Sequence, residues 1–143
     1  MASDVEANKR AVVTSYTLAL NDKDADAASV YLHPHYKQHN PTVADGIAGW
    51  RAMVNWIKTE RPTFSVEIKR VIGEADFVVL HVHMKENDRD RGRAGVEIFR
   101  LEDGKIAEHW DILQLASSRP RRGRWSLGVA PVAHCHRRPL RAD

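Results

Sequence analysis

From Asp4 to Leu20 the apolar positions Val5, Val12, Tyr16, Ala19 and Leu20 recur at the spacing of one helical face. With Ser3 or Asp4 as N-cap, the pattern predicts a first helix. A polar break, Asn21-Asp22-Lys23-Asp24, leads into a short second helix carrying Ala28, Val30, Tyr31 and Leu32. It is expected to stop before Pro34, because a residue preceding proline is pushed out of the helical region. The polar stretch His35-Tyr36-Lys37-Gln38-His39-Asn40-Pro41 predicts a short strand or an extended lead-in. Asp45-Gly46 then opens a third helix with Ile47, Trp50, Met53, Val54, Trp56 and Ile57, closed by Arg61-Pro62.

Beyond Pro62 the period changes to alternation rich in β-branched residues, the signature of strands. Four are predicted: Phe64 to Ile72, Phe77 to Lys85, Ala94 to Leu101 and Lys105 to Leu115. Glu102-Asp103-Gly104-Lys105 between two apolar runs marks a hairpin, with Gly104 supplying a positive φ. Helices first and a mostly antiparallel sheet afterwards argue for an α+β fold, with the helices packed on one face of a curved sheet.

The hairpin register decides which polar residues meet, since a slip of one residue exchanges the two faces. A two-residue Asp103-Gly104 loop sets Val96 opposite Asp111 and Ile98 opposite His109. A three-residue turn with Gly104 in a bulge sets Glu97 opposite His109 and Gly95 opposite Asp111. We favour the second, because three-residue loops ending in glycine are common. It gathers Glu97, Phe99, His109, Asp111 and Leu113 on one face. The strand from Phe77 adds to that face either Val79, His81 and His83 or Val78, Leu80, Val82 and Met84. A carboxylate in a partly apolar pocket is easier to protonate, and a neighbouring histidine can hold or orient the shared proton, which is the basis for acid–base chemistry. His81-x-His83 with Glu97 or Asp111 is a weaker, alternative metal-ligand set.

Charge narrows the function classes. The chain has 143 residues and a net charge of +3, but residues 1–115 carry 15 Lys and Arg against 18 Asp and Glu, while residues 116–143 carry seven Arg against one Asp. The reading is therefore a mildly acidic domain over 1–115 and a basic extension over 116–143, so a nucleic-acid partner has support only from the tail. A single cysteine, Cys135, excludes an intrachain disulfide, and His134-Cys135-His136 is too compact to wrap one metal. No stretch approaches the ~18 apolar residues of a membrane helix, and no leader pattern opens the chain, so a soluble, cytoplasmic protein without a membrane partner is expected.

Two segments, Tyr36-Lys37-Gln38-His39-Asn40-Pro41-Thr42-Val43-Ala44-Asp45-Gly46 and the run from Ile98 to Asp111, together with the element order, resemble the nuclear-transport-factor-2-like superfamily. Within it they resemble the SnoaL-like polyketide cyclases and the predicted aldol-condensation enzymes. The resemblance implies a cone with an internal pocket, a homodimer, and a small hydrophobic carbonyl compound as substrate. It further implies aldol ring closure without metal or cofactor, with a late-strand aspartate as acid and base. Asp111 is the position that looks like that aspartate, with His109 and Glu97 as its catalytic neighbours. Tyr16, Gln38, His39, Asn40, Trp56, His81, His83 and Phe99 are the expected substrate contacts. Ketosteroid isomerases share the superfamily, and Tyr16 and Asn21 fit their pattern. Asn40-Pro41, however, stands where their Asp-Pro belongs, and an amide cannot abstract a proton. Limonene-epoxide-hydrolase-like members use an Asp-Arg-Asp arrangement, and the strand carrying His81 and His83 has no Arg-x-Asp. Isomerase, dehydratase or epoxide-hydrolase chemistry and a non-catalytic binding module are the alternatives.

Overall fold

The protein is described over residues 4–115 by a computed structural model. The basic extension, with Cys135 and its flanking histidines, lies outside the described residues. The elements run α1 (Val5–Leu20), α2 (Ala25–Ser29), β1 (Leu32–Gln38), α3 (Gly46–Glu60), β2 (Ser65–Glu74), β3 (Phe77–Lys85), β4 (Arg93–Glu102) and β5 (Lys105–Leu115). The strands form one sheet in the order β1-β5-β4-β3-β2, with β1 parallel to β5 and every other pair antiparallel. The α+β arrangement expected from the sequence is the one observed.

Each helix begins where a short acid can accept from exposed backbone N–H groups: Asp4 from Ala7, Asp24 from Ala27 and Asp45 from Gly46. The second helix is shorter than its apolar pattern predicts. It ends at Ser29, Val30 is mostly exposed, and Leu32 starts β1. Tyr31 already gives its carbonyl to the Ile106 N–H of β5 at 2.8 Å, so sheet pairing has replaced helix pairing before Pro34 is reached. Pro34 lacks a backbone donor and is tolerated because β1 is an edge strand.

The core lies between the helices and one face of the sheet. Val12 of α1, Val54 of α3 and Val78, Leu80 and Val82 of β3 are fully buried there. β3 therefore turns its aliphatic set inward, and His81 and His83 fall on the opposite face.

The β4–β5 hairpin adopts neither expected register. Asp103 and Gly104 both have positive φ, 50° and 72°, and form a tight two-residue loop closed by Glu102 opposite Lys105. Leu101 pairs with Ile106 but Arg100 pairs with Glu108, so Ala107 is an extra residue in β5. Beyond this bulge Phe99 lies opposite His109, Glu97 opposite Asp111 and Gly95 opposite Leu113. The pairing differs by two residues from the favoured expectation. Because side chains alternate with period two, the same five residues still share one face.

The other edge strand, β2, is tied down by a side chain. Asn21, following α1, donates through Nδ2 to the Val66 carbonyl at 3.0 Å and accepts the Val66 N–H at 2.8 Å. It thereby imitates one residue of a neighbouring strand. Among the described residues no helix is long and apolar enough to cross a membrane. Replacing Asn21 with Ala strips both partners from Val66 and is expected to cost about 1–2 kcal/mol. A urea titration should show a lower midpoint with unchanged slope.

Candidate active site

A cavity of about 570 Å³ opens between the inner face of the sheet and helices α1 and α3. Its walls are largely apolar, from Leu20, Trp50, Met53, Trp56 and Phe64 among others. One cluster of its polar groups comes from α1 and three strand segments: Tyr16, then Gln38 and Asn40 at and just after the end of β1, Glu97 on β4, and His109 and Asp111 on β5. Glu97 is 2% exposed, and His109 and Tyr16 are likewise buried.

Donor and acceptor roles follow from one backbone group. The Asn40 N–H, which can only donate, meets Gln38 Oε1 at 3.0 Å, so that atom is the carbonyl oxygen. Gln38 Nε2 then donates to Tyr36 Oη at 3.0 Å. His109 Nδ1 lies 3.0 Å from the same Gln38 oxygen and must carry a hydrogen. The remaining contact, His109 Nε2 to Glu97 Oε2 at 2.7 Å, holds a single proton between imidazole and carboxyl. The other Glu97 oxygen, Oε1, is buried without a hydrogen-bond partner among the described residues, and so is Tyr16 Oη. Burial first, and then the negative charges of Glu97 and Asp111, raise the Tyr16 phenol well above the ordinary tyrosine range, so it remains a donor.

Asp111 is held by a second orienting chain. The Thr42 N–H and hydroxyl both donate to Asn40 Oδ1, at 2.8 and 2.7 Å, which turns the Asn40 amide nitrogen toward Asp111 Oδ2 at 2.6 Å. Asn40 thus serves as a support for a carboxylate. Phe99 packs edge-on to Tyr16, with centroids 6.0 Å apart, and stacks on His109 at 4.8 Å, fixing both rings.

Three expected contacts lie elsewhere. His39 is on the outer face, stacked on Trp110 at 4.5 Å and 2.9 Å from Glu108, because alternation along β1 turns Gln38 inward and its neighbour outward. His81 meets Arg70, and His83 meets the Arg91 carbonyl, both on the face of β3 opposite Leu80 and Val82. The sheet therefore separates these histidines from Glu97 and Asp111, and the metal-ligand set they would have formed does not converge. Among the described residues no group of three or more His, Cys, Asp or Glu is placed to hold a metal.

Tyr36, Thr42, Arg61 and Arg93 also line the cavity and are not among the residues the sequence predicts for it. Alternation could have found two of them. Tyr36 stands two residues before Gln38, and Arg93 two before Gly95 and four before Glu97. Arg61 and Thr42 lie in connections, where the sequence carries no periodic signal.

A family model described as SnoaL-like polyketide cyclase matches residues 10–120. Among solved structures, TsrD from Streptomyces laurentii is similar at 27% identity, covering 75% of this chain and 88% of its own, with a TM-score of 0.62. A candidate ketosteroid isomerase from Kribbella flavida is similar at 18% identity over 92% of this chain and 95% of its own, with a TM-score of 0.67. A candidate polyketide cyclase from Bacillus cereus is similar at 18% identity over 72% and 71%, with a TM-score of 0.62. The two at 18% establish the fold alone. No curated protein matches the sequence.

The network has a pH-sensitive anchor in Asp45. Its Oδ1 accepts the Gln38 N–H at 2.7 Å and the Gly46 N–H at 2.8 Å, and these two donors lower its carboxyl below the ordinary range. A carboxyl lowered in the folded state stabilises fully above its unfolded value, about 3.9, and loses that contribution as pH falls through the folded value. The stability gap between the protein and Asp45→Ala should therefore be constant from pH 7 to 5 and narrow below about 4. Urea unfolding at a series of pH values measures it.

Proposed function

The chain belongs to the SnoaL-like polyketide cyclase family, and on that premise we propose that it is an acid–base enzyme closing a ring in a small hydrophobic carbonyl compound. One observation carries the reading: Asp111, Tyr16 and the Glu97–His109 pair all line one largely apolar cavity. Asp111 takes a proton from the carbon α to a carbonyl, and the electron pair moves onto oxygen. The Tyr16 O–H donates to the enolate oxygen as charge develops there. The enolate carbon then attacks a second carbonyl of the same molecule, and the resulting alkoxide takes back the proton from Asp111. The sequence balances with substrate and side chains alone. The Glu97–His109 hydrogen bond holds the imidazole on the sheet face that carries Asp111.

The outer face of the sheet supports the family's other implication, a homodimer. Ile72, Phe77 and Ile112 are exposed on that face. Light scattering should return twice the monomer mass, and Ile112→Glu the monomer mass.

Exchange of the α-hydrogens of 2-acetylnaphthalene in D2O, followed by NMR, tests the chemistry without requiring the true substrate. Asp111→Asn should slow exchange about 10²–10⁴-fold, the range for a general base, while binding stays within a few-fold. Tyr16→Phe should slow it about 10²–10³-fold. Full exchange in Asp111→Asn refutes the assignment of the base. Binding without any exchange by the unaltered protein would identify a ligand-binding module instead.

A further inference from the structure

The mechanism leaves one charged group of the cavity unused. Arg61, just after α3, and Arg93, at the start of β4, both line the cavity on the side where half-exposed Trp56 brings it to solvent. Both guanidinium groups converge on one carboxylate. Arg61 donates through Nε to Glu86 Oε2 at 2.7 Å and also contacts Oε1, and Arg93 reaches Oε1 at 3.1 Å. Among the described residues Glu86 is the one carboxylate within ion-pair distance of either, so two positive charges face one negative charge. The Arg61 plane is further held over the Phe64 and Trp56 rings, at 4.8 and 5.5 Å.

A structural clasp needs only one of these arginines. The loop bearing Glu86 has other anchors, Thr63 Oγ1 donating to the Glu86 carbonyl at 2.6 Å and the Glu86 N–H donating to Asp90 at 2.9 Å. A second guanidinium beside the first adds like-charge repulsion in a partly desolvated place, and an external anion relieves it. Gly95 separates Arg93 from Glu97 on the inner face of β4, and neighbouring side chains close over it, since a Cβ there would lie 2.8 Å from Val82 Cγ2 and 3.2 Å from Glu97 Oε1. At about 3.3 Å per residue, Arg93 and Glu97 stand roughly 13 Å apart along the strand.

We propose that Arg93 and Arg61 form a carboxylate-recognition site, so that the substrate is an elongated hydrophobic carbonyl compound with a carboxylate about 10 Å from its acidic carbon, shorter than the strand separation because the side chains at both ends extend toward the substrate. Which end reacts rests on the acid–base reading above. The planar forks of two arginines match a carboxylate in two-point contact, as they engage that of Glu86.

The test uses the full chain, calorimetric titration and three probes: 6-acetyl-2-naphthoate, its methyl ester, and 6-acetyl-2-naphthyl phosphate. The carboxylate should bind about 10-fold or more tighter than the ester, the preference expected for charge-assisted bonds. Arg93→Gln should reduce that preference to within about 3-fold and leave the ester's Kd unchanged. Glu86→Gln removes the internal competitor and should tighten carboxylate binding several-fold, whereas a purely structural clasp would be loosened and bind every probe less well. Equal binding of acid and ester, a preference that survives Arg93→Gln, failure of all three probes to bind, or a phosphate bound more tightly than the carboxylate each overturns the proposal. Hydrogen exchange on neutral 2-acetylnaphthalene does not involve the arginines. If exchange persists while the acid preference is absent, only the carboxylate site falls. If the preference is present without exchange, the carboxylate site stands and the acid–base reading falls.

Discussion

One extra residue in β5 sets the chemistry of the inner sheet face. The Asp103–Gly104 turn closes the hairpin in a register that, continued without interruption, would place Val96 opposite Asp111 and Ile98 opposite His109. Polar His109 and Asp111 would then share a face with the outward side chains of β4, and Glu97 would be alone in the core. Ala107, buried and unpaired, restores the parity. From that point Glu97, Phe99, His109 and Asp111 share one face, and β3 opposes them with Val78, Leu80 and Val82. Everything else at the site depends on this alternation.

Two buried polar side chains, Glu97 and His109, and the half-buried Asp111 carry a heavy desolvation cost on such a face unless each finds partners. The end of β1 meets that demand because it runs parallel to β5, with Gln38 in register with His109. One backbone N–H, from Asn40, dictates the orientation of Gln38 and through it the tautomer of His109. Another, from Thr42, dictates the orientation of Asn40 and through it the hold on Asp111. A cluster whose roles descend from backbone donors is fixed before any ligand arrives, which is the condition for electrostatic preorganisation. The two atoms left without partners among the described residues, Tyr16 Oη and Glu97 Oε1, belong to residues that line the cavity.

The outer face of the sheet shows the same residue types in a different use. His39 stacks on Trp110 and pairs with Glu108, which Arg100 engages at 2.7 Å; these contacts lower the Glu108 carboxyl. Such pairs stabilise only modestly at a partly exposed surface. Histidine and glutamate thus form a buried hydrogen-bonded pair on one face and a partly exposed one on the other, and only burial and partners separate the two.

The sequence by itself determined the element order, because periods of 3.6 and 2 are written into the apolar positions and each helix start carries its own acidic cap. It also marked the late strand with His109 and Asp111, and the segment around Gln38 and Asn40, since these break an otherwise apolar alternation. It did not determine the facing of β3, whose two alternating sets, one aliphatic and one bearing His81 and His83, are both apolar enough to be buried. Nor did it determine the hairpin bulge, which costs one residue and leaves no compositional trace. His39 and Gln38 are adjacent in the chain and equally suited to a site, and only the pairing of β1 with β5 sends them to opposite faces. Arg61, Arg93 and Glu86 come from three separated connections and strand ends, so their meeting is a property of the closed fold alone. Periodicity is local and survives in the sequence, whereas register and convergence are long-range and are decided by which residues the packed sheet brings together.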